Sequence, residues 1–273
     1  MKSIAFVLLL CNLWQDSSNF LSRDTTWTRE VLIIGTVHRG NSQISSRSLL
    51  RVLEKEKPDI IFIEADTVEN INCKNKNVFG LEIAAKLGIW KPSIEQRAVQ
   101  RYVKKNNKVC VIPYDTVFER KAYIKDFVAH SDMIFTKLDS LYENDIMDEE
   151  DLQLYGRYQE LNLFFYSQLH EMNLFEINEP AFIDSSRVMT RMKEMILPVI
   201  SGKYVPDEVP WLRENLAFDN NRNLFMAQYI QKSIADFKAK KIVVLTGLLH
   251  KYFLNDYLSP FQKEYQFILT SLK

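Results

Sequence analysis

Apolar residues along this chain come in two kinds of run. Short, unbroken, β-branched runs lie towards the two ends: Val31-Leu32-Ile33-Ile34, Ile60-Ile61-Phe62-Ile63, Val109-Cys110-Val111-Ile112 and Ile242-Val243-Val244-Leu245. Continuous apolarity over four or five residues marks a strand covered on both faces, as in a parallel sheet. The pattern predicts strands at 30–35, 59–63, 108–112 and 242–246, with an edge strand over Tyr265 to Ser271. Between the first two, a helix is expected at 44–56, capped by Ser45 or Ser42 and ended by Pro58. That β-helix-β unit is right-handed and parallel in nearly all proteins. A polar loop follows at 67–78, then helical patterns at 79–88 and 93–106, the second opened by Pro92 and Ser93. From 117 to 238 the chain turns acidic, aromatic and helical, with stretches at 117–142, 147–172, 178–196 and 209–238 and a break from Pro198 to Pro210. This section reads as a helical insertion or cap, with Phe164, Phe165, Tyr166 and Phe175 as helix-packing core.

Two of the strand runs end alike. Val31 to Ile34 runs into Gly35-Thr36-Val37-His38, and Ile242 to Thr246 into Gly247-Leu248-Leu249-His250. Two of only seven glycines and two of only four histidines are spent on this Gly-x-x-His pattern. Glycine lets the chain turn sharply off a strand and carries the histidine just past its C-terminal end, the edge where open α/β sheets bind ligands. A single copy is commonplace, and a lone histidine is more often structural. Two copies in matching context point to convergence on one site. His130 and His170 sit in polar helical settings and read as surface residues.

Carboxylates follow the other strand ends: Glu64 and Asp66 after the second, Asp115 after the third. Glu64 follows five residues of strand, so its charge requires a partner. Asp66 and Asp115 also suit ordinary turns. Two imidazoles with carboxylates can bind a divalent ion, Zn, Mn, Co or Fe, with His38, Glu64 and His250 as ligands. They suit equally a metal-free site in which histidine takes a proton from water. No local metal signature separates the two. In Asp219-Asn220-Asn221-Arg222-Asn223, Arg222 offers a fork for a carboxylate or oxyanion and Asn223 a donor for a substrate carbonyl.

Composition narrows the partners. Thirty-five basic and 35 acidic residues give no net charge, so nothing favours nucleic acid or an anionic membrane. The basic run from Arg101 to Lys108 reads as the solvated end of a helix. Cys11, Cys73 and Cys110 show no zinc spacing; Cys110 reads as a small buried hydrophobe, and a disulfide with Cys73 stays open. The start, Met1-Lys2-Ser3 and then Ile4 to Leu10, has the basic head and short apolar core of an export signal, too short to span a bilayer. The expectation is a leader and connection at 1–27, an exported product, and a single α/β domain at 28–273. Cys11 would allow a lipid anchor, the one route to membrane contact. A buried first strand of a cytoplasmic protein is the alternative.

Taken together, Gly35-Thr36-Val37-His38, Lys57 to Asp66, Glu95 with Ala98, Arg222-Asn223 with Met226-Ala227, and Gly247 to His250 resemble, in order, the Tiki/TraB (TraB/GumN, erythromycin-esterase-like) superfamily. The resemblance spans 30 to 258. It implies an α/β fold with a central mixed, mainly parallel sheet, helices on both faces and a helical cap, and two Gly-x-x-His motifs on one cleft. Its hydrolytic members include divalent-metal-dependent peptidases. Carried over, His38 and His250 are the motif histidines, Glu64 the strand-end acid, and Arg222 and Asn223 the ligand-positioning pair. Glu95 stands as a further acid, although first-turn helix glutamates are common. Asp66 and Asp115 are expected near the substrate. Two departures, Ala65 within Glu64-Ala65-Asp66 and Lys251-Tyr252 after the second motif, bear on substrate class. The sequence therefore predicts a metal-assisted hydrolase of a peptide or related acyl bond. The rivals are a metal-free esterase-like hydrolase and a protein that binds or sequesters a small molecule without turnover.

Overall fold

Strands and helices alternate as the hydrophobic pattern requires. The computed structural model describes residues 29–66, 92–115 and 120–272; the expected leader, the loop at 67–78 and the helix at 79–88 lie outside the described residues. The elements are β1 (Arg29–Thr36), α1 (Ser46–Glu56), β2 (Ile60–Asp66), α2 (Ile94–Lys105) and β3 (Cys110–Asp115). Four long helices follow, α3 (Arg120–Glu143), α4 (Glu149–Glu171), α5 (Pro180–Tyr204) and α6 (Val209–Asp236), and then β4 (Lys241–Gly247), α7 (Leu248–Leu258) and β5 (Phe267–Thr270). Serine punctuation sets the first two helices. The Ser45 hydroxyl accepts from the Ser48 N–H, and Ser93 does the same for Gln96, each in a reciprocal capping box. Lys57, at φ 49°, closes α1 in the left-handed conformation just ahead of Pro58.

The five described strands form one sheet in the order β3-β2-β4-β1-β5, and every pair is parallel. The mixed sheet implied by the family resemblance is thus replaced, among the described strands, by a wholly parallel one. Each return to the sheet passes through a helix, which brings the chain back to the same edge. Alternate strand residues feed two cores. Leu32, Ile34, Ile61, Val243 and Leu245 pack with α1, α2 and α5, while Val31, Ile33, Phe62, Ile112 and Val244 pack with α6. A third core lies wholly among α3 to α6, around Leu138, Tyr155, Leu197 and Leu212. This core belongs to the helical section between β3 and β4.

Two expectations are corrected. The break at Pro198 is absent: α5 runs through it to Tyr204, because Ile196, Leu197 and Ile200 bury on either side and packing outweighs the lost backbone bond. Of the four aromatics expected in the core, only Phe165 is buried, stacked on Phe182 at 4.8 Å between ring centres; Phe164, Tyr166 and Phe175 point outward. A helix presents only one stripe to its neighbours, so consecutive residues cannot all bury. Cys110 is buried as expected, and the disulfide that the sequence left open is formed at it.

Adjacent phenylalanines supply a direct check. Phe165→Ala should cost about 3–5 kcal/mol in denaturant unfolding, and Phe164→Ala no more than roughly 0.5 kcal/mol. Equal losses would contradict this packing.

Candidate active site

The last strand-forming run of the helical section's far side, β4, inserts between β1 and β2. Its register pairs Gly35 with Thr246 and Thr36 with Gly247, so two motifs some two hundred residues apart in sequence begin side by side. Both glycines stand where neighbours approach closely. A Cβ on Gly35 would lie 3.0 Å from Leu248 Cδ1, and one on Gly247 would lie 3.2 Å from both His38 Nε2 and His250 Cδ2 and 3.3 Å from Glu64 Oε2. The site therefore crowds around the Gly247 Cα. His38 leaves β1 through a turn in which its carbonyl accepts from the Ile94 N–H at 3.2 Å, tying it to the start of α2. His250 stands in the first turn of α7.

Glu64, at the end of β2, occupies the centre. His38 Nε2 lies 3.6 Å and His250 Nε2 3.8 Å from its Oε1. Arg222 Nη2 donates to the same oxygen at 2.6 Å, and the Gly247 N–H donates to Oε2 at 2.6 Å. Burial opposes the Glu64 charge, but the His38 cation and the Arg222 guanidinium hold its carboxyl well below the usual range, with no contribution from a neutral His250.

The two histidines are in opposite states. His38, half-exposed, meets Glu64 on one side and Glu95 Oε1 at 3.0 Å from Nδ1 on the other. The Glu64 carboxylate, at ion-pair distance, and the hydrogen bond to Glu95 outweigh partial burial and push its imidazole up to about 10. At neutral pH it is a cation. His250 is lowered from its ordinary value, first by burial, and its Nδ1 lies 2.6 Å from Asn223 Oδ1. An amide oxygen only accepts, so Nδ1 carries the proton and Nε2 presents a lone pair. That lone pair accepts from Arg222 Nη1 at 3.1 Å.

Arg222 is the hub. Only 4% exposed, it forks onto Asp115 through Nε at 2.8 Å and Nη2 at 2.7 Å while also reaching Glu64 and His250. Its own acidity is weakened further by Asp115 and Glu64 despite burial. The sequence assigned Arg222, Asn223 and Asp115 to substrate; the structure spends the Arg222–Asp115 fork and Asn223 Oδ1 on protein partners. Asp66 pairs with Asp115 in the register after an irregularity in β2, and its side chain lies outside the described residues. Glu95, a further acid by the resemblance and an ordinary first-turn helix glutamate by sequence alone, is 2% exposed and also accepts from the Thr36 hydroxyl. The signal was available: the Ser93–Gln96 capping box fixes where α2 starts and so aims its first turn at the strand ends. Of the remaining histidines, His170 is exposed and His130 stacks on Trp211 beside Glu208.

The three expected metal ligands do converge, but they do not fit a divalent ion as arranged. The guanidinium of Arg222 already donates to Glu64 Oε1 and His250 Nε2, two of the three atoms such an ion would need. Among the described residues no group of three His, Cys, Asp or Glu side chains is disposed to hold a metal.

Above His250 lies a cavity of about 600 Å³. Arg222, Asn223 and His250 form its floor, and cap residues including Tyr158, Asn162, Lys193 and Asp219 its walls. Compared with protein-family models, curated proteins and solved structures, the chain has no significant match.

Two outcomes follow. Arg222→Met should lose about 3–5 kcal/mol, because Glu64 and Asp115 remain buried without their cation. His38 titrates at 6.5 unfolded and at about 10 folded, so its stabilising contribution is whole below the first value and is lost as pH rises through the second. Thermal melts from pH 7 to 10 should therefore fall more steeply for the wild type than for His38→Gln; parallel curves would contradict the assignment.

Proposed function

We propose that this chain is a metal-independent hydrolase of acyl bonds, peptide or ester, working by paired acid–base catalysis at Glu64. The observation that carries the reading is that two imidazoles within 4 Å of one carboxylate oxygen are held in opposite protonation states at neutral pH. Environments that push two titratable groups apart divide the acid and base roles between them.

The roles follow from the geometry. A water in the cavity loses its proton to His250 Nε2 as its oxygen attacks the substrate carbonyl. Asn223 Oδ1 holds the base in the required tautomer and steadies the imidazolium that forms. Arg222 Nη1 meets no carboxylate among the described residues; it turns from His250 Nε2 to the carbonyl oxygen as substrate binds, which leaves the Nε2 lone pair to take the proton of water and places a donor where negative charge develops. His38, cationic and half-exposed, stands beside Glu64 and outside the lining of that cavity, so its proton reaches the leaving nitrogen or oxygen through an intervening water. Solvent then returns the proton from His250 to His38. Glu64 and Glu95 keep His38 charged between turnovers, and Glu64 holds the two rings in register.

The Tiki/TraB resemblance supports hydrolysis, and the Arg222 network favours the metal-free branch over the metal-assisted one. The cavity size suits a small molecule or a few residues of peptide. A disulfide at Cys110 accords with the exported location that the first ten residues predict, since disulfides persist in oxidising compartments.

The test is a panel of peptides and esters assayed after exhaustive chelation. Activity should survive chelation, fall at least about 10²-fold in His250→Ala, and decline on the acid side below the ordinary histidine range. Activity lost on chelation and restored by added divalent ions would overturn the metal-free mechanism. Ligand binding without turnover across the panel would overturn catalysis itself.

A further inference from the structure

Of the two residues that follow the second motif, Lys251 and Tyr252, the lysine is buried with no carboxylate to meet it among the described residues. Lys251 is 4% exposed, and its Nζ donates to Asn178 Oδ1 at 2.6 Å and lies 3.4 Å from the Asn178 carbonyl. Burial lowers its ammonium to about 8. Both the charged and the neutral amine carry N–H groups, so the bond to Asn178 persists in either form. An unpaired buried lysine ordinarily costs stability, and this one lies outside the proposed proton path.

Asn178 explains its place. It stands in the short turn ahead of α5 and is itself buried. Its Oδ1 also accepts from the Gly35 N–H at 2.7 Å, while its Nδ2 donates to the Gly35 carbonyl at 2.9 Å and the Leu174 carbonyl at 2.8 Å. One amide thus grips both backbone groups of the first motif's glycine and the lysine that directly follows the second motif's histidine. The Lys251 stem lies on Gly35 as well, with Cδ 3.3 Å from where its Cβ would be.

We infer that Lys251 is a positioning residue: the chain Lys251–Asn178–Gly35 ties the first turn of α7 to the end of β1 and thereby sets His250 against Glu64 and His38. Strand pairing fixes β4 to β1, and Leu248, Tyr252, Leu254 and Leu258 pack α7 into the two cores. Apolar packing is not directional, and the Lys251 tie adds a polar contact of fixed geometry one residue from His250. In this role a long side chain with a terminal N–H donor is what the position requires.

The kinetic part of the test rests on the hydrolase reading; the spectroscopic part does not. Lys251→Met, Asn178→Ser and the double variant form a cycle, each assayed for kcat and KM and by nitrogen NMR of the His250 ring. Lys251→Met should keep the melting temperature and KM, lower kcat roughly tenfold or more, and shift the His250 ring signals away from the single Nδ1–H form. The double variant should be no worse than the worse single one, since both cut one connection. If Asn178→Ser fails to accumulate, Lys251→Met decides alone. Unchanged ring signals in Lys251→Met, or losses that add across the cycle, would overturn the brace. Absence of turnover in every protein with the ring signals shifted as stated would leave the brace standing and count against the hydrolase reading.

Discussion

A single buried guanidinium governs how this sheet edge is built. Arg222 descends from α6 and meets Asp115 at the end of β3, Glu64 at the end of β2 and His250 at the start of α7. None of these groups tolerates burial alone: an isolated carboxylate or guanidinium removed from water costs several kcal/mol unless paired and hydrogen-bonded. Arg222 and its three partners come from four elements separated widely in sequence, so the cost is offset only when the sheet and the long helix are both in place. The hydrophobic cores make the layers; this cluster fixes how the layers meet.

The same cluster imposes chemistry. With Arg222 donating to Glu64 Oε1 and to His250 Nε2, the carboxylate stays ionised and the imidazole stays neutral. On the other side of Glu64 no guanidinium intervenes, and His38, held between two carboxylates, stays charged. One acid therefore divides its surroundings into a base side and an acid side. The base side opens into the cavity beneath the helical cap; the acid side is half open to solvent.

The local rules were legible where periodicity and punctuation speak for themselves. Unbroken apolar runs marked four of the five described strands within a few residues, and Ser45 and Ser93 marked helix starts, because these signals depend on neighbours in sequence. The pairing of the two Gly-x-x-His motifs was legible through their repetition. What could not be read was how each polar atom would be spent. Whether Arg222 faces a substrate or an aspartate depends on β3 ending beneath α6, which is a tertiary fact. Glu95 looked like any first-turn glutamate until the turn after β1 brought His38 to it. Pro198 looked like a stop because its local cost is plain, while the burial that offsets it comes from other helices. Phe164 and Phe165 are indistinguishable in composition and separated only by which side of α4 faces Phe182.

The account turns on the proton inventory of two rings, which nitrogen NMR of histidine-labelled protein reads directly across pH. It predicts that His38 carries both ring protons at pH 7 and loses one only near pH 10, while His250 is neutral at pH 7 with its proton on Nδ1. A neutral His38 at pH 7, or a His250 proton on Nε2, would contradict it.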